Sequence, residues 1–248
     1  MRGGRDLRAV LFDLDGTLLD TAPDMADALN TLRVAEGLDR IPFERIRPLV
    51  SHGAPRLIRF AFDEPEGARY EALRMRFLEI YSGALAVRTR LFDGFDHVLG
   101  AVEQAGLQWG IVTNKPGWLT APLLAQTGLA RRCGCVVAGD TLAERKPHPL
   151  PLLHAAGLLG LEPRTCVYVG DAERDVQAAR NAGMIPLVAG FGYLGDDDDP
   201  AIVVAPRHVL LHHVTEVGEA VAVEALGLED AHVCARALRD SASPLPLA

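Results

Sequence analysis

The chain has 248 residues, which allows one large domain or two smaller ones, and 49% of its residues are hydrophobic against 23% charged. This balance excludes a wholly disordered chain, because it provides enough apolar surface for a sizeable core. With 25 Lys and Arg against 33 Asp and Glu, the net charge of -8 argues against nucleic acids and anionic membranes as partners, since both attract basic surfaces.

Five short runs of the sequence are continuously apolar rather than alternating, which is typical of strands buried on both faces. In chain order they are residues 8–13, 109–113, 135–138, 166–170 and 186–189. Helical patterns separate the last four, at residues 118–126, 149–159 and 173–181. Strands that alternate with helices in this way predict right-handed βαβ units, and hence an α/β fold with a Rossmann-like, doubly wound parallel sheet.

The connection between the first two strands is far longer than a crossover needs. A helix at residues 96–105 would suffice, yet residues 22–90 carry apolar side chains at helical spacing almost throughout. We interpret this connection as an inserted α-helical domain rather than a loop. Its helices are expected at residues 23–36, 54–62 and 67–86. The expected division is an α/β core of residues 1–21 and 88–230, a helical domain of residues 22–87 and a C-terminal tail of residues 231–248.

Beyond the fifth strand the pattern weakens. A sixth apolar run at residues 202–205 precedes a candidate helix at residues 214–226. The four consecutive aspartates at residues 196–199 are interpreted as a solvated acidic turn rather than as a metal site.

The cysteines and the N-terminal residues indicate the compartment. Cys133, Cys135, Cys166 and Cys234 contain no CxxC pair, so reduced core thiols are expected rather than disulfides. Residues 1–7 lead directly into a short apolar run that ends in acids, which is not a signal-peptide pattern. The apolar stretches are shorter than the ~20 residues of a membrane span. We expect a soluble cytoplasmic protein, either a monomer or a homodimer.

The most specific motif is DLDGT at residues 13–17, where the first strand ends. Ligands of a parallel α/β sheet bind beyond the carboxyl ends of its strands. Because side chains alternate along a strand, Asp13 and Asp15 point the same way, and two carboxylates this close need a cation to stay ionised together. A hard cation such as Mg²⁺ suits both carboxylates and the backbone carbonyl of Leu14. For this motif alone, a helix cap is the alternative.

The other strand ends carry complementary groups. The second strand ends in Thr113, Asn114 and Lys115, whose hydroxyl and backbone N–H groups suit phosphate oxygens. Lys146 follows the third strand, where it could neutralise a carboxylate and a phosphate together. Each of these motifs alone has a simpler interpretation as a cap or a solvated loop.

The fourth strand ends in GDAERD at residues 170–175, which places Asp171 and Asp175 one helical turn apart on the same face. These acids could complete a Mg²⁺ shell or simply favour a helix N-terminus. Four strand ends with groups suited to metal or phosphate form a strong pattern together.

In order and spacing, DLDGT, the strand end at Thr113, Lys146 and GDAERD resemble the four motifs of the haloacid dehalogenase superfamily of phosphatases, over about residues 6–226. The helical insertion resembles that superfamily's helical cap. DLDGTLLDTAPD at residues 13–24 is similar to phosphoglycolate phosphatases. The stretches FLEIY, LFDGF and WGIVTNKP, at residues 77–81, 91–95 and 109–116, are also similar to N-acetylmuramic acid 6-phosphate phosphatases.

The resemblance implies a Mg²⁺-dependent phosphatase of a small phosphorylated metabolite, with 2-phosphoglycolate as the leading substrate and N-acetylmuramic acid 6-phosphate as the alternative. It implies Asp13 as the nucleophile that forms an aspartyl-phosphate and Asp15 as the general acid and base. The remaining implied ligands are Thr113, Asn114 and Lys146 for the phosphoryl group, and Asp13, the Leu14 carbonyl, Asp171 and Asp175 for Mg²⁺. Two other classes stay open: a sugar-phosphate mutase, and a catalytically idle binding protein on the same scaffold.

Substrate specificity is expected to come from the cap. Ser51, His52, Gly53 and Arg56 belong to a segment punctuated by Gly and Pro between two cap helices, and such a segment can close over a site. Arg56 could pair with a substrate carboxylate, which both candidate substrates carry. A helix–helix turn with a surface arginine is the alternative interpretation.

Overall fold

The computed structural model describes residues 7–64, 66–193, 209–211 and 213–217. The strands in these ranges are β1 (Ala9–Phe12), β2 (Leu19–Asp20), β3 (Arg90–Leu91), β4 (Gln108–Val112), β5 (Cys135–Val137), β6 (Cys166–Gly170), β7 (Ile185–Ala189) and β8 (Val209–Leu211). The α-helices are α1 (Ala22–Ala35), α2 (Phe43–Ile46), α3 (Gly53–Ala61), α4 (Gly67–Ser82), α5 (Phe95–Gln104), α6 (Gly117–Gln126), α7 (Leu150–Leu158) and α8 (Glu173–Asn181).

Six strands form one parallel sheet in the order β5-β4-β1-β6-β7-β8, which confirms the predicted fold class. All five predicted strands are present. The sixth strand, β8, was not predicted, and the apolar run at residues 202–205 lies outside the described residues. Because β1 lies between β4 and β6, its carboxyl end is at the centre of the sheet edge, flanked by the ends of those two strands.

The sheet is buried on both faces, as its continuous apolar strands require. In β1, Val10 and Phe12 face one hydrophobic layer, whereas Ala9 and Leu11 face the other. Helices α5 and α6 contribute to the first layer, and α7 and α8 contribute to the second. Helices on both faces of a parallel sheet define the doubly wound architecture.

The connection from β2 to β3 is helical, as predicted, and contains α1 to α4 together with a 3₁₀ helix at Arg47–His52. Helix α4 packs against α1 and α3. The predicted helix at residues 67–86 was too long, because α4 ends at Ser82 and Gly83 follows it in a turn. The apolar residues beyond Gly83 do not continue the helix, because the chain turns there toward β3.

The two chain segments that lead into and out of this helical segment lie side by side. Strands β2 and β3 are antiparallel partners, with Leu19 opposite Leu91. Asp24 in the first turn of α1 is buried, and its carboxylate accepts hydrogen bonds from the backbone N–H groups of Arg88 and Thr89 and from the Thr89 hydroxyl. One buried carboxylate therefore joins the outgoing and returning chains.

Three smaller expectations concern the rest of the chain. Cys133, Cys135 and Cys166 are free thiols, whereas Cys234 lies outside the described residues. Of the candidate helix at residues 214–226, residues 214–217 are helical and the remainder lies outside the described ranges, as do residues 196–199 and 231–248. Among the described residues, no helix is both long and apolar enough to cross a membrane.

Candidate active site

Three buried aspartates meet at the carboxyl edge of the sheet. Asp13 directly follows β1, Asp171 directly follows β6, and Asp175 lies in the first turn of α8. One carboxylate oxygen from each lies within 4.8 Å of the others. The approach of Asp171 to the DLDGT turn depends on Gly16, which has a φ of +84° and would place a Cβ 2.1 Å from Asp171 Oδ2. A side chain at Gly16 would therefore displace the acid that completes the triad.

Lys146 is the buried cation that contacts two of these three acids. Its Nζ lies 2.9 Å from Asp13 Oδ1 and 2.7 Å from Asp175 Oδ1, and it donates to the Tyr168 hydroxyl at 2.7 Å. The lysine loop is held in place by Asn114, whose side-chain amide donates to the Lys146 carbonyl and accepts from the Lys146 N–H. The side chain of Asn114 thus positions the lysine and does not itself project freely into the site.

The electrostatics of the triad favour an added cation. Burial raises the pKa of Asp13, and Lys146 lowers it but only partly offsets the effect of burial. Burial, with Asp13 and Asp175 adding to it, raises the pKa of Asp171 to about 7. Burial alone would also raise the pKa of Asp175, but Lys146 and Arg174 outweigh it and hold that pKa below its ordinary value. Since three carboxylates share two cationic neighbours, the oxygen-rich cluster suits a hard divalent cation.

Asp15 has different neighbours from Asp13. Its Oδ1 accepts a hydrogen bond from the Thr21 hydroxyl at 2.6 Å and lies 3.1 Å from Lys115 Nζ. Lys115 also donates to the hydroxyl of Tyr81 on α4, at 3.0 Å. Burial lowers the pKa of Lys115, but Asp15 and Tyr81 outweigh this and raise that pKa above its ordinary value. A charged lysine therefore connects the second carboxylate of DLDGT to the helical segment.

A cavity of about 350 Å³ lies in front of these groups. Its walls combine the sheet edge, the junction of the 3₁₀ helix with α3, and helix α4. The predicted site residues that line it are Asp13, Asp15, Ser51, His52, Gly53, Thr113 and Asn114. Asp171, Asp175 and Lys146 are buried behind the wall rather than lining it. Arg56 is not brought to the cavity, because it is exposed on α3 and pairs with Glu64 at 3.3 Å.

Tyr81 and Arg174 line the cavity but were given no role from the sequence, and Lys115 was considered there only for its backbone N–H. Lys115 stands beside Thr113 and Asn114, so its proximity to a predicted site was the available signal. Tyr81 follows the apolar spacing of its helix and gives no such signal. Arg174 lies inside GDAERD, immediately before a predicted metal ligand, and its Nη2 lies 3.9 Å from Asp13 Oδ2.

The fold and this arrangement of acids define a haloacid dehalogenase-like hydrolase. The model of that family matches residues 7–183, so the chain belongs to the family, as its motifs predicted. Among curated relatives, the phosphoglycolate phosphatase of Xanthomonas campestris pv. campestris (strain 8004) is 51% identical over 193 residues, which cover 78% of this chain and 87% of the relative.

Two further comparisons are informative. The N-acetylmuramic acid 6-phosphate phosphatase of Pseudomonas aeruginosa is 41% identical over 214 residues, which cover 82% of this chain and 93% of the relative. The crystal structure of a predicted phosphoglycolate phosphatase from Haemophilus somnus 129PT superposes with a TM-score of 0.72 at 27% identity, covering 81% of this chain and 92% of that one. The relatives share the family and carry two different substrate names.

Proposed function

We propose that this protein is a Mg²⁺-dependent phosphatase that hydrolyses a small phosphomonoester, with 2-phosphoglycolate as its leading substrate. The observation that carries the proposal is the pair Asp13 and Asp15, which line one cavity in different surroundings: the first beside Lys146, the second beside Thr21 and Lys115. Two carboxylates in distinct environments can divide nucleophilic and acid–base roles. The 51% identical relative supports the choice of substrate.

The metal would be held by Asp13, the Leu14 carbonyl and Asp171, with Asp175 supporting them. The donor set fits, because it is composed of oxygens and has more negative charge than its two cationic neighbours neutralise. Mg²⁺ bound there would supply positive charge to the phosphoryl group and keep Asp171 ionised.

In the proposed reaction, a carboxylate oxygen of Asp13 forms a bond to phosphorus while the bond from phosphorus to the ester oxygen breaks. Asp15 gives its proton to the departing oxygen, which yields the alcohol and an aspartyl-phosphate. Asp15 then takes a proton from water as that water attacks phosphorus and the bond from phosphorus to the Asp13 oxygen breaks, which releases inorganic phosphate and restores the Asp13 carboxylate and the protonated Asp15. The Thr113 hydroxyl, the Asn114 backbone N–H and Lys146 would bind the phosphoryl oxygens, where positioning and charge do most of the work.

The helical segment, residues 22–87, is proposed to act as a cap on a core of residues 1–21 and 88–230. Ser51, His52 and Gly53 support this, because the junction of the 3₁₀ helix with α3 that they form is part of the cavity wall. A cytoplasmic monomer or homodimer is part of the same proposal.

N-acetylmuramic acid 6-phosphate is the second candidate substrate. The Pseudomonas relative covers slightly more of this chain than the Xanthomonas relative does, and the cavity is larger than a two-carbon phosphate ester requires. Cavity size therefore leaves room for a sugar, whereas sequence identity favours the smaller ester.

Phosphate release in Mg²⁺ is the test, comparing kcat/KM for 2-phosphoglycolate, N-acetylmuramic acid 6-phosphate and a panel of sugar phosphates. We expect a preference of ~100-fold or more for 2-phosphoglycolate, because a substrate that satisfies buried polar groups is strongly favoured over one that does not. The same preference for the muramic acid ester would assign the second candidate. Isomerisation of a sugar phosphate without phosphate release would indicate a mutase and overturn the proposal.

The Asp13→Asn variant is the control for mechanism. It should lose turnover by several orders of magnitude while it stays folded, because the amide is a far weaker nucleophile than the carboxylate. An unchanged kcat would contradict the nucleophile assignment.

A further inference from the structure

Arg174 is a largely buried cation beside the nucleophile to which the proposed mechanism gives no role. Its side chain is 20% exposed and lines the cavity. Nη2 donates to the backbone carbonyl of Ser51 at 2.8 Å and lies 3.9 Å from Asp13 Oδ2. Nε and Nη1 form no hydrogen bond with the described residues, so several donors of the guanidinium remain available to a ligand.

The position of Arg174 differs from that of Lys146 in a way that separates their roles. Lys146 contacts Asp13 Oδ1 from within the protein, has a fully buried side chain and is engaged by two carboxylates. Arg174 faces Asp13 Oδ2 and forms part of the cavity wall next to Ser51. Because Arg174 bonds to the Ser51 carbonyl of the helical segment and also lies near Asp13, it occupies the side of the nucleophile that faces that segment, where the leaving group of a bound ester would lie.

The other basic side chains that line the cavity near Arg174 have different surroundings. Lys115 is paired with Asp15, and Arg74 is bonded through Nε and Nη2 to Glu71. Arg145 is exposed. Arg174 alone of these four combines burial, free donors in the described structure and a position within 4 Å of the nucleophile, at 3.9 Å.

We propose that Arg174 is a specificity-determining residue that binds a carboxylate on the leaving group of the substrate. The planar guanidinium fork matches a carboxylate in a bidentate geometry. In 2-phosphoglycolate, one methylene carbon joins the carboxylate to the ester oxygen, so a guanidinium beside Asp13 can reach it. The inference rests on the proposed function, and it gives Arg174 the role that the sequence suggested for the exposed Arg56.

The test compares 2-phosphoglycolate with ethyl phosphate, in which a methyl group replaces the carboxylate, on the full-length enzyme with Mg²⁺. Arg174→Gln should lower kcat/KM for 2-phosphoglycolate by about 30-fold, as expected for loss of a charge-assisted hydrogen bond in a partly desolvated site. Most of the loss should be in KM, because the carboxylate is bound equally before and during the reaction. Activity on ethyl phosphate should fall much less than activity on 2-phosphoglycolate, since that substrate lacks the group that Arg174 binds and registers only the loss of a cation near Asp13 and Asp175.

Two further variants sharpen the comparison. Arg174→Lys should recover part of the loss, because it keeps the charge but not the fork. Arg164→Gln makes the same chemical change at an exposed surface arginine and should leave both substrates unaffected. Thermal unfolding of each variant verifies that it is folded.

An equal loss on both substrates would overturn the inference, because Arg174 would then act on the phosphoryl group or on the fold. No loss on either substrate would overturn it as well. The proposed substrate fails separately, through low activity of the unmodified enzyme on 2-phosphoglycolate. If that enzyme prefers N-acetylmuramic acid 6-phosphate, the loss of kcat/KM in Arg174→Gln is measured on that substrate and on N-acetylglucosamine 6-phosphate, which lacks the carboxylate. The comparison of these two losses then decides the inference independently.

Discussion

Replacing Asp24 with Asn perturbs the buried hydrogen bonds between the start of the helical segment and the chain that returns from it. The Asp24 side chain belongs to a residue that is 3% exposed. Its Oδ1 accepts from the Arg88 N–H at 2.8 Å, and its Oδ2 accepts from the Thr89 N–H at 2.9 Å and the Thr89 hydroxyl at 2.7 Å. The Arg88 N–H also reaches Oδ2, at 3.1 Å. Asparagine has one uncharged acceptor oxygen in place of two charged ones, so the three donors must share it without the negative charge.

The cost follows from the bonds that are lost. If the amide oxygen takes the Oδ2 position, the Arg88 N–H keeps only its longer bond of 3.1 Å and faces the NH₂ group at the Oδ1 position, which costs about 1 kcal/mol. The two bonds from Thr89 persist without the negative charge, and each weakens by about 1 kcal/mol. We therefore expect Asp24→Asn to lower the free energy of unfolding by about 3 kcal/mol, or to lower Tm by roughly 6–12 °C for a chain of this size.

Asp27→Asn on the same helix is the matched control. Asp27 pairs with the side chain of Arg88 at 3.0 Å, but its side chain is 50% exposed, and exposed ion pairs contribute under about 1 kcal/mol. Urea unfolding of both variants, together with the double variant of Asp24→Asn with Thr89→Val, measures the two costs and their coupling. If Asp24→Asn lowers the free energy of unfolding no more than Asp27→Asn does, the buried carboxylate does not hold the two connecting segments together.

Three other predictions concern proton release on Mg²⁺ binding, the reactivity of a buried thiol and an exposed arginine of the helical segment. Burial, together with the neighbouring Asp13, raises the pKa of Asp171 to about 7, so Asp171 carries a proton below that pH in the metal-free protein. Mg²⁺ binding at about pH 6 should therefore release about one proton. Calorimetry in buffers of different ionisation enthalpy measures this release, and its absence would contradict the ligand assignment. Burial raises the pKa of Cys135 to about 12, so iodoacetamide at about pH 8 should modify it only after unfolding; rapid labelling of the folded protein, read by mass spectrometry, would show that the thiol is accessible. Arg56→Gln should change kcat/KM for 2-phosphoglycolate by less than about twofold, because exposed ion pairs such as Arg56–Glu64 contribute little. A loss as large as that expected for Arg174→Gln would show that Arg56 reaches the substrate.

The strands were predictable because each is a continuous apolar run, and a strand buried on both faces leaves that mark in the sequence. Two errors came from features that are not local. The β8 strand at Val209–Leu211 is defined by its parallel pairing with β7, which no single segment reveals. Helix α4 ends at Ser82 although apolar residues continue beyond it, because the chain turns there toward β3.

The convergence of the acids was predictable for a related reason. Asp13 and Asp171 each directly follow a buried strand, and the carboxyl ends of parallel strands meet at one edge. Once the strands are known, their meeting requires no knowledge of side-chain packing.

The sequence by itself therefore determined five strands of the parallel sheet, the helices between the last four of them and the acids that meet at the sheet edge, because apolar runs and strand-end residues are short-range properties. Tertiary structure alone decided that Lys115 joins Asp15 to Tyr81, that Arg174 faces the nucleophile beside Ser51, and that Arg56 points away. Each of these contacts depends on how the α1–α4 segment packs over the sheet and on which way a long side chain then extends. That packing joins residues far apart in the chain, so no local pattern encodes it.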